Sequence, residues 1–291
     1  MSISTMRRAL KKILLTSFIA STQVLAQQIP TVFPQENHFM FIIMGQSNAI
    51  GSAAWEDNKD IASLPNVRVY DMGANLPDEV WSTDLAGLHK FWGRTVGFGN
   101  SFAVKISQDF PDLKIDLMPC AVPAQSIDRF KKGSIKKLNF FNEDKSSFHT
   151  GDNNLYEYCM RRVRNAQTKG GGKVAAVLFH QGESDFGQSV WETKVIALIK
   201  NLRNEPNIED NLPFIIGELS YKMGPSQTHN TMINHIAATQ QNVSVVSSRD
   251  ISVQDDNIHF TAEGLRRMGL QYAEAWKKYH RSSFNGTLTY R

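Results

Sequence analysis

Two cysteines in 291 residues are too few for a disulfide framework, and at positions 120 and 159 they lack the paired C-x-x-C spacing of a zinc site. Cys120 closes an apolar run, where a buried free thiol is the expectation; export would allow a single Cys120–Cys159 bridge as the alternative. No apolar run reaches the roughly 20 residues of a membrane-spanning helix. His180, His259, Glu183, Asp185 and Asp256 are ligands by type, but no HExxH pair or EF-hand loop organises them. Gly170-Gly171-Gly172-Lys173 is followed by Val174 where a phosphate loop needs Ser or Thr, and the glycines at 93, 97 and 99 form no dinucleotide fingerprint. No metal or cofactor is therefore expected.

The N-terminus is where the charge is unbalanced. Arg7, Arg8, Lys11 and Lys12 precede the short apolar stretch 13–20, and Val24-Leu25-Ala26 offers a signal-peptidase site, so residues 1–26 read as a secretory signal peptide. The net charge of +4 comes from 32 basic and 28 acidic residues, and the signal holds four of the basic ones and no acid. The mature chain is then balanced, which removes the case for nucleic acid or for a membrane-bound state after cleavage. The remaining basic cluster, Arg129, Lys131, Lys132, Lys136 and Lys137, reads as a solvated face. A secreted or periplasmic protein is expected, with one domain at 27–281 and a C-terminal tail at 282–291 that lacks periodicity.

Apolar runs at 39–44, 67–70, 114–118, 174–179, 213–217 and 243–247 read as strands, several of them apolar at successive positions as in a sheet covered on both faces. Helical spacing recurs at 100–110, 155–168, 190–203 and 232–241, and a last helix opens at Thr261 as N-cap with Leu265, Met268, Tyr272 and Trp276 on one stripe. Strands alternating with crossover helices indicate an α/β fold around a parallel sheet.

Three polar clusters occur at the boundaries of these elements. Gly45-Gln46-Ser47-Asn48 follows the first strand, where a serine entering a helix is exposed at the sheet's carboxyl edge, although such a serine can equally be a helix cap. Asp256 stands three residues before His259, so one turn brings carboxylate to imidazole and fixes its tautomer. Asp255 is four residues away and fits less well. The third cluster, His180-Gln181-Gly182-Glu183-Ser184-Asp185, follows a buried strand; there Gln181 offers an amide donor and Glu183 a second acid that rivals Asp256 for His259.

In this order the clusters resemble the SGNH-hydrolase superfamily, in particular its carbohydrate O-acetylesterase branch, which includes acetylxylan esterases of carbohydrate esterase family six and sialate O-acetylesterases. The resemblance spans residues 38 to 280 and rests on Gly45-Gln46-Ser47-Asn48, the glycine-containing segment 96–103, Gln181-Gly182-Glu183, and Asp256 with His259. It implies a three-layer α/β/α sandwich, flavodoxin-like, with a central parallel sheet of about five strands. It also implies a Ser47, His259 and Asp256 triad with Glu183 nearby, and an oxyanion hole from Ser47, Gly99 (or Gly97) and Gln181. Gln46, Asn48, Asn100 and His180, which flank these blocks, are expected to meet the substrate, an acetylated carbohydrate. The α/β-hydrolase fold is set aside because Ala49 stands where its GxSxG motif needs glycine.

Relatives commonly carry Gly-Gly after the strand ending in Pro119-Cys120; this chain has Ala121-Val122-Pro123-Ala124, stiffer and bulkier, which puts the sugar specificity in question. Trp55, Trp81, Trp92 and Trp191 are candidate stacking platforms for sugar rings. The alternatives to a sugar deacetylase are a lipase- or thioesterase-like hydrolase of the same superfamily and a non-catalytic carbohydrate-binding protein on the same scaffold.

Overall fold

The computed structural model describes residues 37–71, 79–88, 93–134, 154–224 and 226–284. The expected signal segment lies outside them, as do Trp92 and the tail beyond Phe284. In chain order the elements are β1 (His38–Gly45), α1 (Ser47–Ile50), β2 (Ala53–Ala54), β3 (Val67–Asp71), β4 (Val80–Ser82), β5 (Thr95–Val96), α2 (Phe98–Asp109), β6 (Lys114–Ala121), α3 (Leu155–Thr168), β7 (Lys173–His180), α4 (Trp191–Arg203), β8 (Phe214–Gly217), α5 (Ser226–Thr239), β9 (Val243–Val246) and α6 (Ala262–Phe284).

Continuous apolar character in β1 follows from its place at the centre of the sheet. Met40, Ile42 and Met44 face one apolar layer, with residues of α3, α4 and α5, while Phe41 and Ile43 face the other, with α2 and α6. A strand covered on both faces has no polar side, so its sequence loses the alternation of a half-exposed strand. The sheet order is β4-β3-β6-β1-β7-β8-β9. β1 pairs in parallel with β6 and β7, and β3, β8 and β9 extend the parallel set; β4 runs antiparallel on β3 at one edge. The three-layer α/β/α sandwich is as expected, but the sheet has six parallel strands and an antiparallel edge instead of about five. β4 is three residues long and partly exposed, too short to show a period.

Two boundaries differ from the sequence reading for physical reasons. α5 begins at Ser226, six residues before the apolar pattern starts, because its buried side carries Ser226, His229 and Asn230 before Ile233 and Ile236. α6 runs on to Phe284, past the start of the expected tail. Thr261 does cap it, its hydroxyl accepting the Gly264 amide at 3.1 Å.

Cys120 and Cys159 are bridged, with Cα atoms 5.4 Å apart, which corrects the expectation of a free thiol. Both are fully buried. The apolar run ending in β6 signalled burial, and the partner came from α3, which packs on that face.

The order of connections reverses at β1: β3 and β6 lie on one side, β7 to β9 on the other. Such a switch point opens a crevice at the carboxyl ends of the strands. Gly45 sits there at φ +143°, and a Cβ on it would lie 1.9 Å from the His180 carbonyl oxygen, so only glycine lets the chain turn between β6 and β7.

Candidate active site

Ser47 is the first residue of α1, directly beyond that turn. The Gln46 amide donates to the His180 carbonyl (3.1 Å) and the Val122 amide to the Gly45 carbonyl (3.1 Å), pinning the turn to both neighbouring strands. Standing at the start of a helix, the Ser47 amide has no carbonyl of its own helix to donate to.

The Asp256–His259 loop arrives from the other side of the crevice. Asp256 Oδ1 accepts the backbone amides of Ile258 and His259, both at 2.9 Å, and Asn257 adopts φ +60°, a conformation asparagine tolerates. The Gln254 amide donates to the His259 carbonyl at 2.7 Å, and Val253 and Phe260 form a β-bridge. This tight loop turns His259 Nδ1 to Asp256 Oδ2 at 2.5 Å and His259 Nε2 to Ser47 Oγ at 2.9 Å. Burial works to raise the Asp256 carboxyl, but the hydrogen bonds from the His259 ring and from the two amides outweigh it and hold the group below the usual carboxylate range. An ionised Asp256 accepts a hydrogen bond from Nδ1–H, which keeps the ring proton on that nitrogen and leaves Nε2 as an acceptor toward the Ser47 hydroxyl.

The crevice is a cleft of about 520 Å³ lined by Gln46, Ser47, Ser52, Pro123, Ala124, Glu183, Ser184, Met223, Ile258 and His259. Ser52, Ser184, Met223 and Ile258 were not foreseen. Met223 follows β8 and Ser184 follows β7, so the rule that ligands bind beyond the carboxyl ends of strands could have found them.

Several residues expected to meet the substrate instead hold the cleft from beneath. Gln181 is fully buried. Its Nε2 donates to Asp185, to the Gln125 carbonyl (3.1 Å) and to Gln46 Oε1 (3.3 Å), while its Oε1 accepts Trp191 Nε1 at 2.7 Å, leaving no side-chain proton for an oxyanion. Asn48, also fully buried, donates to Glu183 Oε1 (2.8 Å) and the Ile258 carbonyl (3.1 Å) and accepts the Phe260 amide (3.1 Å), gripping the chain on both sides of His259. Glu183 thus bonds to Asn48, with His180 Nδ1 3.4 Å away, and makes no hydrogen bond to His259.

His180 lies under the loop, its Nε2 3.1 Å from the Glu218 carbonyl and its ring edge-on to Phe260; burial pushes its imidazole down, partly opposed by Glu183. Asn100 caps α2, accepting the Gly97 amide at 2.9 Å and donating to the Leu85 carbonyl at 2.6 Å, so Gly97 has no free amide either. Gly99 lies where a Cβ would stand 2.4 Å from Ile43 and 2.8 Å from Leu88, so its bareness serves helix-to-sheet packing. It does not line the cleft. Of the expected contacts, Gln46 alone remains on the wall.

The three described candidate tryptophans are elsewhere too. Trp191 is buried on Gln181, Trp81 donates to the Lys169 carbonyl at the far edge of the sheet under Arg68, and Trp55 bonds Asp57 beside Arg94. Among the described residues, no group of three His, Cys, Asp or Glu could hold a metal ion, and no helix is long and apolar enough to cross a membrane.

A three-layer α/β/α fold with a Ser–His–Asp chain at its switch point is the architecture of an SGNH-type hydrolase. Residues 37–278 match the family described as carbohydrate esterase, sialic acid-specific acetylesterase, and the chain belongs to that family. A probable carbohydrate esterase of Arabidopsis thaliana is 26% identical over 258 residues, covering 81% of this chain and 89% of the relative. Its solved structure shares the fold with a TM-score of 0.65 at 24% identity, over 83% of this chain and 98% of that one. The structure of NanS does so at 0.63 and 16%, over 84% and 98%. That of a carbohydrate acetylesterase from Xanthomonas citri gives 0.57 and 17%, over 87% of this chain and 58% of the other.

Proposed function

We propose that the protein is an exported esterase that removes acetyl groups from sugar hydroxyls through an acyl-enzyme on Ser47. The observation that carries this reading is the hydrogen-bonded chain from Asp256 through His259 to Ser47, opening on a cleft of a carbohydrate-esterase fold.

His259 Nε2 takes the Ser47 proton as Oγ attacks the acetyl carbonyl, and the Ser47 amide donates to the oxyanion that forms. The tetrahedral intermediate collapses as His259 passes the proton to the departing sugar oxygen, leaving acetyl-Ser47. A water then gives one proton to His259 as it attacks the ester; the second tetrahedral intermediate collapses by breaking the bond to Ser47 Oγ, which takes the proton back from His259, and acetic acid leaves and ionises in solvent. Asp256 stays ionised and stabilises the imidazolium in both steps.

Between sugars, we favour neutral acetates derived from polysaccharide over O-acetyl sialic acid: the mature chain is balanced in charge and, among the described residues, the cleft wall carries the acid Glu183 and no Lys or Arg. The buried Cys120–Cys159 bridge supports export, since such bonds persist in oxidising compartments. The test is acetate release, side by side, from acetylated xylo-oligosaccharides and from 9-O-acetyl sialate, with Ser47→Ala as control. Release from neither, together with no labelling of Ser47 by a serine-directed phosphonate, would overturn the reading in favour of a binding protein.

A further inference from the structure

The wall facing the Ser47–His259 pair is the stretch between the end of β6 and the turn at Ile127–Phe130, and it is held in an unusual way. Ala124 is exposed on the cleft at φ +52°, a left-handed conformation that is unfavourable for any residue with a Cβ. Pro123 beside it has its φ fixed by its ring. Strain of this kind persists only where the surroundings over-determine it, and it concentrates at functional sites.

The surroundings here are a buried strut. Asp185 is fully buried, and its Oδ1 accepts the Ser126 hydroxyl at 2.6 Å while its Oδ2 accepts the Ile127 amide at 2.8 Å. Its neighbour Gln181 reaches the Gln125 carbonyl at 3.1 Å, and Gln125 Nε2 donates back to the Pro123 carbonyl at 3.0 Å. Gln125, Ser126 and Ile127 on the far side of Ala124 are therefore tied to the β7 loop, and on the near side the Val122 amide is tied to Gly45. Neither a serine esterase mechanism nor a stable sheet requires a strained alanine and a proline at this place.

We propose that the Pro123–Ala124 wall, held by Asp185, is the specificity element of the cleft, and that it confines Ser47 to acetyl esters on single or terminal sugar residues. A sugar inside a polysaccharide has a neighbour on each side, and both must clear the rim before its acetyl group reaches Ser47. A wall made rigid by proline, by strain and by a buried carboxylate cannot yield to the second neighbour. The cleft of about 520 Å³ falls within the range of pockets that take one small ligand. Asp185 is a positioning residue in this scheme: it touches the wall and not the substrate.

The proposal rests on the sugar-ester reading, and its test compares two substrates of one enzyme. Acetate release would be measured from xylose tetra-acetate and from soluble polymeric acetylxylan. The native enzyme should prefer the small ester at least tenfold in kcat/KM per acetyl group. Ala124→Gly should narrow that preference at least threefold, and Pro123→Ala should act in the same direction. Asp185→Asn, which puts an amide donor where the wall needs an acceptor, should narrow it as well, with the change carried by KM for the polymer. A variant that merely lost folded protein would scale both rates alike and leave the ratio fixed. An unchanged ratio in Ala124→Gly and Pro123→Ala, or a native enzyme without preference, overturns the proposal. Failure of the underlying reading is seen differently, as no acetate from either sugar ester while 4-nitrophenyl acetate is still cleaved.

Discussion

Two groups of polar side chains occupy the same end of the sheet and differ in how far they are open to the cleft. On the His259 side, Asp256 keeps 44% of its side chain exposed and His259 28%, and the ring holds one partner on each nitrogen. On the β7 side, Asn48, His180, Gln181 and Asp185 are all fully buried, and Gln181, Asn48 and Asp185 each bond to two or more partners. A group committed to the protein on every side cannot also bind a transition state, whereas breaking its bonds leaves buried polar atoms unsatisfied at about 1–3 kcal/mol each. The open group is thus suited to reacting and the closed group to holding. Substitutions in the first should change rate and leave stability alone; in the second they should do more to stability than to rate.

The largest effect expected is that of Asp256→Asn. The amide oxygen can still accept the Ile258 and His259 amides, so the loop keeps its form, but the NH2 now faces Nδ1 and forces the ring proton onto Nε2. His259 then has no lone pair for Ser47, and kcat on a small acetyl ester should fall by about 10⁴. Thermal unfolding should move by no more than about 2 °C, since an exposed site contributes little to stability. A large drop in melting temperature with a modest rate loss would reverse the division drawn above.

What was legible in the sequence follows the same line. Six strands could be read because burial on both faces leaves uninterrupted apolar runs, and the Asp256–His259 pair because its geometry is local, set by three residues of spacing. The direction of a polar side chain at the end of a strand is not local. Asn48 and His180 stand beside reactive-looking neighbours, yet point down into the protein because Glu183, Phe260 and Glu218, distant in sequence, receive them there, and Gln181 does so because the folded β7 loop and α4 bring Asp185 and Trp191 beneath it. Gly99 misled for a related reason: the sequence shows a missing side chain, and only packing shows that Ile43 and Leu88 need the space. The start of α5 was hidden because polar residues form its buried stripe.

On the holding side, the next effect in size belongs to the Cys120–Cys159 bridge, which ties the strand leading into the cleft wall to α3 across 39 residues. Loop-closure entropy for that length corresponds to about 4 kcal/mol, so a Cys120→Ala, Cys159→Ala variant should melt roughly 10 °C lower. Its kcat at low temperature should change little.

A somewhat smaller effect is expected from His229 and depends on pH. The ring is buried against Trp191 and Phe186 beneath Gly182, and burial pushes it down to about 4 from 6.5, with Asp185 opposing and His180 assisting. Between those values the unfolded chain binds a proton that the folded protein refuses. Stability from this residue is therefore complete above pH 6.5 and is lost as pH falls toward 4, on the order of 3 kcal/mol in all. Urea midpoints at pH 7 and pH 4.5 should differ less in His229→Leu than in the native protein; equal differences would show that the acid sensitivity lies elsewhere.

The smallest effect, and the sharpest probe of the boundary between the two groups, is Glu183→Gln. Glu183 lines the cleft but spends its carboxylate on Asn48, so it reaches His259 only through the backbone on either side of that residue. Glutamine keeps an oxygen for the Asn48 amide and removes only the charge. The network loses one charge-assisted hydrogen bond in exchange for a neutral one, a difference near 1 kcal/mol, and kcat/KM should fall about fivefold. If instead Glu183→Gln costs more than Asp256→Asn on 4-nitrophenyl acetate, the acid that orients His259 during turnover is Glu183, and the 2.5 Å contact with Asp256 positions the loop and does not supply the charge.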